Sequence, residues 1–337
     1  MASNLSEREI IRLASQRSNL KVGGLVKGIG DDCAVFGSSA DGSWLVTTDT
    51  LVEGVHFDMT FHPPQLLGRK CVAVSLSDIA AMGGVPRFIL ISISIPTNIP
   101  DTWLTSWLDG VTEIAEEYNC SLIGGDTVQA GELSITVTLL GEAGSSGVIY
   151  RSGAGEDDTV YVSGYLGDSA VGLELLQSQL AGAEDDKWPE FIKAHLDPVP
   201  QVYLGQQLAQ SGLVTSMQDI SDGLATDLSH ICHESGLAAI LTEPSLPQNP
   251  RLKKVAEVVN KDILDLQLFS GEDYQLVFTV QYGRESEVES MLAESHGQPI
   301  HAVGRLRKGS GVQLRQIDGE LLDITFKGYE HTMRASD

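Results

Sequence analysis

Five separate places in this chain set a carboxylate beside glycine or inside an apolar run, and a fold must find a partner for each. The first is Lys27-Gly28-Ile29-Gly30-Asp31-Asp32, followed at once by Cys33-Ala34-Val35-Phe36. Thr47-Thr48-Asp49 follows a short β-branched run, and Asp78 lies within Val74-Ser75-Leu76-Ser77-Asp78-Ile79-Ala80-Ala81. Gly124-Gly125-Asp126 follows Leu122-Ile123, and Asp219-Ile220-Ser221-Asp222-Gly223 opens a helical pattern. Burying an ionised carboxylate is costly unless it is paired or bound to a metal. Hard divalent cations take oxygen ligands, and Mg²⁺ is held by a few carboxylates together with substrate phosphates. Taken together, these segments point to one shared cation cluster. Taken singly, Asp31 and Asp126 also suit turns and Asp222 suits a plain helix N-cap. Asp78 is the hardest to place otherwise, and the Thr47-Thr48-Asp49 step adds hydroxyl oxygens to the set.

At 337 residues the chain is long for one core. Two domains of roughly 150 residues each are expected. The glycine-rich stretch 143–147 marks the boundary, giving domains 1–145 and 146–337. Net charge is −24, from 22 basic and 46 acidic residues, which disfavours nucleic acid and anionic membrane as partners. Cys33, Cys71, Cys120 and Cys232 form no CxxC pair and read as free thiols in a reducing compartment. His230-Ile231-Cys232-His233 offers too few local ligands for zinc and reads as an ordinary helix surface. Residues 1–16 lack an apolar signal core, and no run approaches the roughly 20 apolar residues of a membrane span. A cytoplasmic protein is expected.

Local patterns alternate helices and strands, an α/β (α+β) arrangement. Ser6-Glu7-Arg8-Glu9 is a capping box and predicts a first helix. Strands are expected at 32–36 and 44–48 with a turn at 38–42. A long helix begins at Pro63-Pro64 and ends at Gly83-Gly84. Residues 88–95 alternate apolar side chains with Ser92 and Ser94, a half-buried strand. A helix at 103–118, a short strand at 121–124 and a strand at 133–141 complete the first half. The second half shows a strand at 159–163, a helix from 166 to 180, a polar surface loop at 183–188 and a helix at 199–211. A further helix at 222–235 takes Ser221 or Asp222 as its N-cap, and strands are expected at 237–242, 274–280 and 300–305.

Phosphate-loop, protein-kinase and nucleophile-elbow signatures are all absent from the sequence. Several polar points remain open on residues alone. His56 is either a ligand contact or a loop histidine. Arg151 is either a phosphate clamp or half of a salt bridge. Gly271-Glu272-Asp273-Tyr274 either holds a cationic or hydroxylated substrate or is a solvated strand entry. Gly167-Asp168-Ser169 reads as a simple helix cap.

These pieces, in this order, resemble the thiamine-monophosphate kinase family of the aminoimidazole ribonucleotide synthetase (PurM-like) superfamily. The matching segments are Gly28-Ile29-Gly30-Asp31-Asp32, Thr48-Asp49-Thr50-Leu51-Val52-Glu53-Gly54-Val55-His56-Phe57, and Ser77-Asp78-Ile79-Ala80-Ala81-Met82-Gly83-Gly84. Gly124-Gly125-Asp126-Thr127, Arg151-Ser152-Gly153-Ala154, Asp219-Ile220-Ser221-Asp222-Gly223, Gly271-Glu272-Asp273-Tyr274 and Lys327-Gly328-Tyr329 follow. The resemblance spans nearly the whole chain. It implies a two-domain fold that dimerises through its N-terminal sheet and phosphorylates thiamine monophosphate with ATP and several Mg²⁺ ions. By motif, Asp32, Thr47, Thr48, Asp49, Asp78, Asp126, Asp219 and Asp222 are the implied metal positions. Gly125, Asp126, Arg151 and Ser221 are the implied nucleotide contacts, and His56, Glu272 and Tyr329 the implied acceptor contacts. Tyr329 stands where relatives can carry tryptophan.

That chemistry is consistent with the residues. A phosphate acceptor is already largely ionised at neutral pH, since its second pKa is roughly 6. Positioning and charge neutralisation then matter more than a general base, and no residue is flanked as a covalent nucleophile would be. Other superfamily members are the nearest alternatives, namely the ribonucleotide cyclo-ligase and selenophosphate synthetase. The latter needs a reactive residue near the N-terminus, and no cysteine precedes Cys33. A non-catalytic nucleotide or thiamine sensor is the alternative from another class, and the full set of aspartates argues against it.

Overall fold

A computed structural model describes residues 6–17, 23–38, 42–178, 187–295 and 300–331. The first half forms a six-stranded sheet from β1 (Leu25–Lys27), β2 (Ala34–Ser38), β3 (Gly42–Val52), β4 (Val85–Ile95), β5 (Ser121–Gln129) and β6 (Ser134–Glu142). The strand order is β1-β2-β3-β6-β4-β5. The described helices of this half are α1 (Glu7–Arg17), α2 (Pro64–Ala81) and α3 (Asp101–Glu117). At the start of α1 the capping box forms as the sequence predicts. Ser6 N–H donates to Glu9 Oε2 at 2.8 Å, and Glu9 N–H donates to Ser6 Oγ at 3.4 Å.

The second half carries a seven-stranded sheet of β7 (Thr159–Val162), β8 (Val214–Asp219), β9 (Leu237–Thr242), β10 (Leu276–Val280), β11 (His301–Lys308), β12 (Gly311–Arg315) and β13 (Leu321–Asp323). Its order is β13-β12-β9-β11-β7-β10-β8. Around it lie α4 (Asp168–Gln177), α5 (Pro189–Leu196), α6 (Val202–Ser211), α7 (Leu224–Ser235), α8 (Leu252–Val259), α9 (Ile263–Leu268) and α10 (Glu285–Ser295). No helix among the described residues is long and apolar enough to cross a membrane.

Helix α2 holds the two halves together. It is buried on nearly all sides, including Leu67, Cys71, Leu76, Ile79 and Ala80, as expected of a helix without a single apolar stripe. Met217, Leu276, Phe278 and Val280, from one face of the second sheet, join the same core. Val160, Val162 and Val277 pack on the other face with Leu228 and Ile231 of α7. Gly205 of α6 lets two helix backbones meet at this junction, because a Cβ there would lie 2.1 Å from the Ala80 carbonyl oxygen. Among the described residues nothing comparable covers the second face of the first sheet, where Thr48, Thr50 and Ser92 are exposed.

Several elements differ from the sequence expectation. The strand expected at 121–124 runs on to Gln129 as an edge strand, with both faces exposed. The strand at 214–219 and the elements at 252–259, 263–268, 285–295, 311–315 and 321–323 were not foreseen from pattern. Trp188, expected in a surface loop, is buried with Phe191 against α8. His230 is half-buried rather than on an open helix surface. It packs edge-on against Phe326, and burial pushes its pKa down to about 3. Most of the expected turn at 38–42, the end of the expected 166–180 helix and most of the 183–188 loop lie outside the described residues.

Candidate active site

Strand alternation decides which hydroxyls and carboxylates of β3 face α2. Leu45, Thr47 and Leu51 are buried against the helix, with Asp49 between them on the same face. Thr47 Oγ1 donates to Asp78 Oδ2, and Ser75 Oγ donates to Asp49 Oδ2 at 2.6 Å. Ser75 and Asp78 are three residues apart on α2, so they share one helical face. A third α2 hydroxyl, Ser77 Oγ, donates to Asp219 Oδ2 at 2.7 Å, at the end of β8. Asp32 enters from the glycine-rich turn and pairs with Arg151 at 2.6 Å.

Carboxylate oxygens of Asp32, Asp78 and Asp219 thus lie within 4.8 Å of one another, drawn from both sheets and from α2. Burial, then the Asp49 and Asp219 charges, holds the Asp78 carboxyl well above the usual carboxylate range. Burial and the Asp32 charge push Asp219 up to about 8, and burial raises Asp49. Asp32 Oδ2 is buried without a hydrogen-bond partner. An orphaned carboxylate oxygen among carboxyls that repel one another is a fitting environment for a divalent cation.

Beside this cluster lies a cleft of about 730 Å³ between the two halves, within the size range of small-molecule sites. Asp49 and His56 line it from the first half, Ser221, Asp222, Glu272 and Tyr329 from the second. Burial and nearby Glu7 raise Asp222 to about 6. His56 Nδ1 accepts from Val52 N–H at 3.1 Å, and its ring lies 5.1 Å from that of His331. Burial and His331 lower the His56 pKa, which favours a neutral ring.

The comparisons with known proteins agree with this geometry. The family AIR synthase related protein, N-terminal domain, matches residues 30–143, and its C-terminal counterpart matches residues 155–316. The thiamine-monophosphate kinase of Escherichia coli K12 is 35% identical over 328 residues, covering 97% of each chain. That of Bacillus subtilis is 36% identical, covering 90% of this chain and 93% of its own. The chain belongs to the thiamine-monophosphate kinase family. Its backbone superposes on a solved structure, AaThiL complexed with AMPPCP and TMP, with a TM-score of 0.82 at 32% identity over 97% of each chain.

Not every family-motif residue meets at this cluster. Asp32, Asp78 and Asp219 form the cluster, Thr47 and Asp49 adjoin it, and Asp222 stands in the cleft wall. Thr48 points from the other face of β3, where its hydroxyl pairs with Thr138 at 3.0 Å. The register places Asp126 beside Ser92, Ser92 beside Thr136, and Thr136 beside Thr50. Asp126 therefore shares the open face with Thr48 but stands three strands away, roughly 14 Å at the usual strand spacing. Gly125 lies on the same exposed edge strand, with φ of 154° and no room for a Cβ against the Ile91 carbonyl. The Arg151 guanidinium is committed to Asp32, and its backbone N–H donates to Asp31 at 3.1 Å.

Some contributing residues escaped the pattern reading. Helix α7 is not capped by Ser221 or Asp222. Its N-cap is Gly223 at φ 108°, and no side chain caps it. The amides of Ser221 and Asp222 instead donate to Asp227 Oδ2, both at 3.1 Å, from one turn inside the helix. Asp227 stands in an apolar helical run as Asp78 does, and that signal could have found it. Gly167 caps α4 with no side-chain bond, and its N–H goes to Asp273 at 2.9 Å. Lys70, fully buried in α2, was also missed.

Proposed function

We propose that this chain transfers the terminal phosphoryl group of ATP directly to the phosphate of thiamine monophosphate, giving ADP and thiamine diphosphate. The observation that carries this reading is the convergence of Asp32, Asp78 and Asp219 beside a cleft that opens between the two halves. Two polyanions must approach each other in the reaction, and the site that receives them is itself acidic. Asp32, Asp78 and Asp219, with Asp49 and Thr47 adjoining, would hold divalent cations, which we read as Mg²⁺. Such ions, when bound, supply the positive charge that neutralises the phosphate oxygens.

The remaining work falls to the chain's own residues. The acceptor phosphate is mostly ionised at neutral pH, so alignment rather than proton removal is what the cleft must provide. Arg151 orients Asp32. Ser221 and Asp222 sit on a turn fixed by Asp227, where nucleotide phosphates would lie. His56, Glu272 and Tyr329 would hold the thiamine end. We read the transfer as direct, with no covalent phospho-enzyme.

We read the functional unit as a homodimer formed through the open face and edge of the first sheet. Leu122, Ile123 and Val128 are exposed on β5, whose outer edge is unpaired among the described residues. A second subunit on that face would bring its own copy of Asp126 and Gly125 toward Thr48, completing the motif set. The test of function is an acceptor panel. Purified protein with ATP and Mg²⁺ is given thiamine monophosphate, an aminoimidazole precursor or no acceptor. ADP release matched by thiamine diphosphate supports the reading, and equal release without acceptor overturns it.

A further inference from the structure

The turn that carries Glu272 is strained and clamped on both sides. Glu272 and Tyr274 both have positive φ, 66° and 48°, a region that side chains other than glycine adopt reluctantly. Backbone bonds hold the turn there, from Glu272 N–H to the Ser221 carbonyl at 2.8 Å and from Tyr274 N–H to the Ile220 carbonyl at 2.9 Å. The two acidic side chains leave it toward different anchors. Asp273 accepts from the Gly167 amide at the start of α4. Glu272 reaches across to the other half of the molecule, where Lys70 Nζ donates to its Oε2 at 3.2 Å. Lys70 is fully buried, whereas the Glu272 side chain is 26% exposed and lines the cleft.

A second group approaches the same oxygen. His195 Nδ1 lies 3.3 Å from Glu272 Oε2 and 3.3 Å from Ser169 Oγ. Burial and the Lys70 charge keep His195 well below its usual pKa, so its ring is neutral. Ser169 and Glu272 share one ring nitrogen, so this is not the relay of a nucleophilic triad, in which acid and nucleophile take opposite nitrogens. Lys70 and His195 thus approach the same carboxylate oxygen of a side chain that lines the cleft. An ammonium shut away from solvent cannot contact a substrate itself.

We propose that Lys70, aided by His195, is a positioning residue that holds the Glu272 carboxylate toward the cationic thiazolium end of the acceptor and so sets acceptor affinity. This rests on the functional reading above. A carboxylate locked in one orientation loses less freedom on binding than a free one, and its charge matches the permanent charge of the ring. On the nucleotide side the pair touches Ser221 through the Glu272 backbone N–H, which donates to the Ser221 carbonyl at 2.8 Å, and substitution of either side chain leaves that bond in place.

The experiment compares Lys70→Met, Glu272→Gln and the double variant with the unaltered enzyme, measuring KM for each substrate, kcat, and calorimetric binding of thiamine monophosphate without ATP. The expected result for Lys70→Met is a rise of about tenfold in acceptor KM and in acceptor Kd, with ATP KM and kcat within about threefold. The double variant should be no worse than Glu272→Gln, since both act through one carboxylate. Equal changes in both KM values, or losses that multiply in the double variant, would overturn the assignment. If Lys70→Met does not fold by circular dichroism, His195→Phe and His195→Asn replace it. Asn keeps a donor at the Nδ1 position, so it should retain acceptor affinity that Phe loses, and equal affinities would overturn the assignment. Absence of acceptor-dependent ADP release in the unaltered enzyme would instead defeat the functional reading itself.

Discussion

Replacing Asp219 with Asn tests the cluster as an electrostatic object before any turnover is measured. Asn keeps the shape of the side chain and can still accept from Ser77 Oγ, which lies 2.7 Å from Asp219 Oδ2. What it removes is ionisation. Asp219 has a pKa of about 8 when folded against 3.8 as its ordinary value. Below pH 3.8 both folded and unfolded chains are protonated there, and the group has no effect on the balance. Between 3.8 and about 8 the unfolded chain gives up the proton and the folded chain keeps it, so stability falls as pH rises. At about 1.4 kcal/mol per pH unit, the loss reaches up to ~4 kcal/mol by neutral pH. Asp78 and Asp49 are shifted in the same direction. In a chelating buffer, Asp219→Asn should therefore melt above the unaltered protein at pH 7 to 8, and the gap should close toward pH 4. Saturating Mg²⁺ should narrow the gap, because a ligand that binds only the folded state stabilises it by about 2.7 kcal/mol at a hundredfold excess over Kd, against the up to ~4 kcal/mol lost to ionisation. The assay is a set of thermal melts of both proteins across pH, with chelator or Mg²⁺. A variant that melts below the unaltered protein in chelator at pH 8 would refute the reasoning, as would an unaltered protein whose stability does not depend on pH.

Asp78→Asn should lower turnover by at least ~10²-fold with little change in far-UV circular dichroism, the scale of losing one preorganised electrostatic contact; a mild kinetic loss with a collapsed spectrum would make Asp78 structural. Tyr329→Ala should raise KM for thiamine monophosphate more than that for ATP, since an aromatic contact is worth on the order of 0.5–1.5 kcal/mol; equal effects would remove Tyr329 from the acceptor end. Ile123→Glu, on the exposed edge strand, should convert a dimer to a monomer in light scattering and reduce turnover with it, because Asp126 sits on the same strand. A fully active monomer would refute the shared site.

The amino-acid sequence alone determined the local elements where side chains carry their own instruction. The Ser6–Glu9 capping box starts α1, Pro63-Pro64 starts α2 and Gly83-Gly84 ends it, and the alternation at 88–95 makes β4. It also showed that Asp78 and its counterparts needed partners, because the cost of burying a carboxylate is a property of the residue and its neighbours. Which carboxylates meet was a matter of tertiary structure. Asp32, Asp78 and Asp219 are far apart along the chain, and only the packing of α2 between the two sheets brings them within 4.8 Å. Alternation says that Thr47 and Thr48 face opposite ways, but the register of β3 against β6 decides which of them turns toward α2. Arg151 and Glu272 were each left between two readings because a charged side chain has no periodic signature of its partner. The fold assigned Arg151 to Asp32 and Glu272 to Lys70. Helix α7 shows the same limit: the pattern located it, but a positive φ at Gly223 and a carboxylate inside the first turn set how it begins.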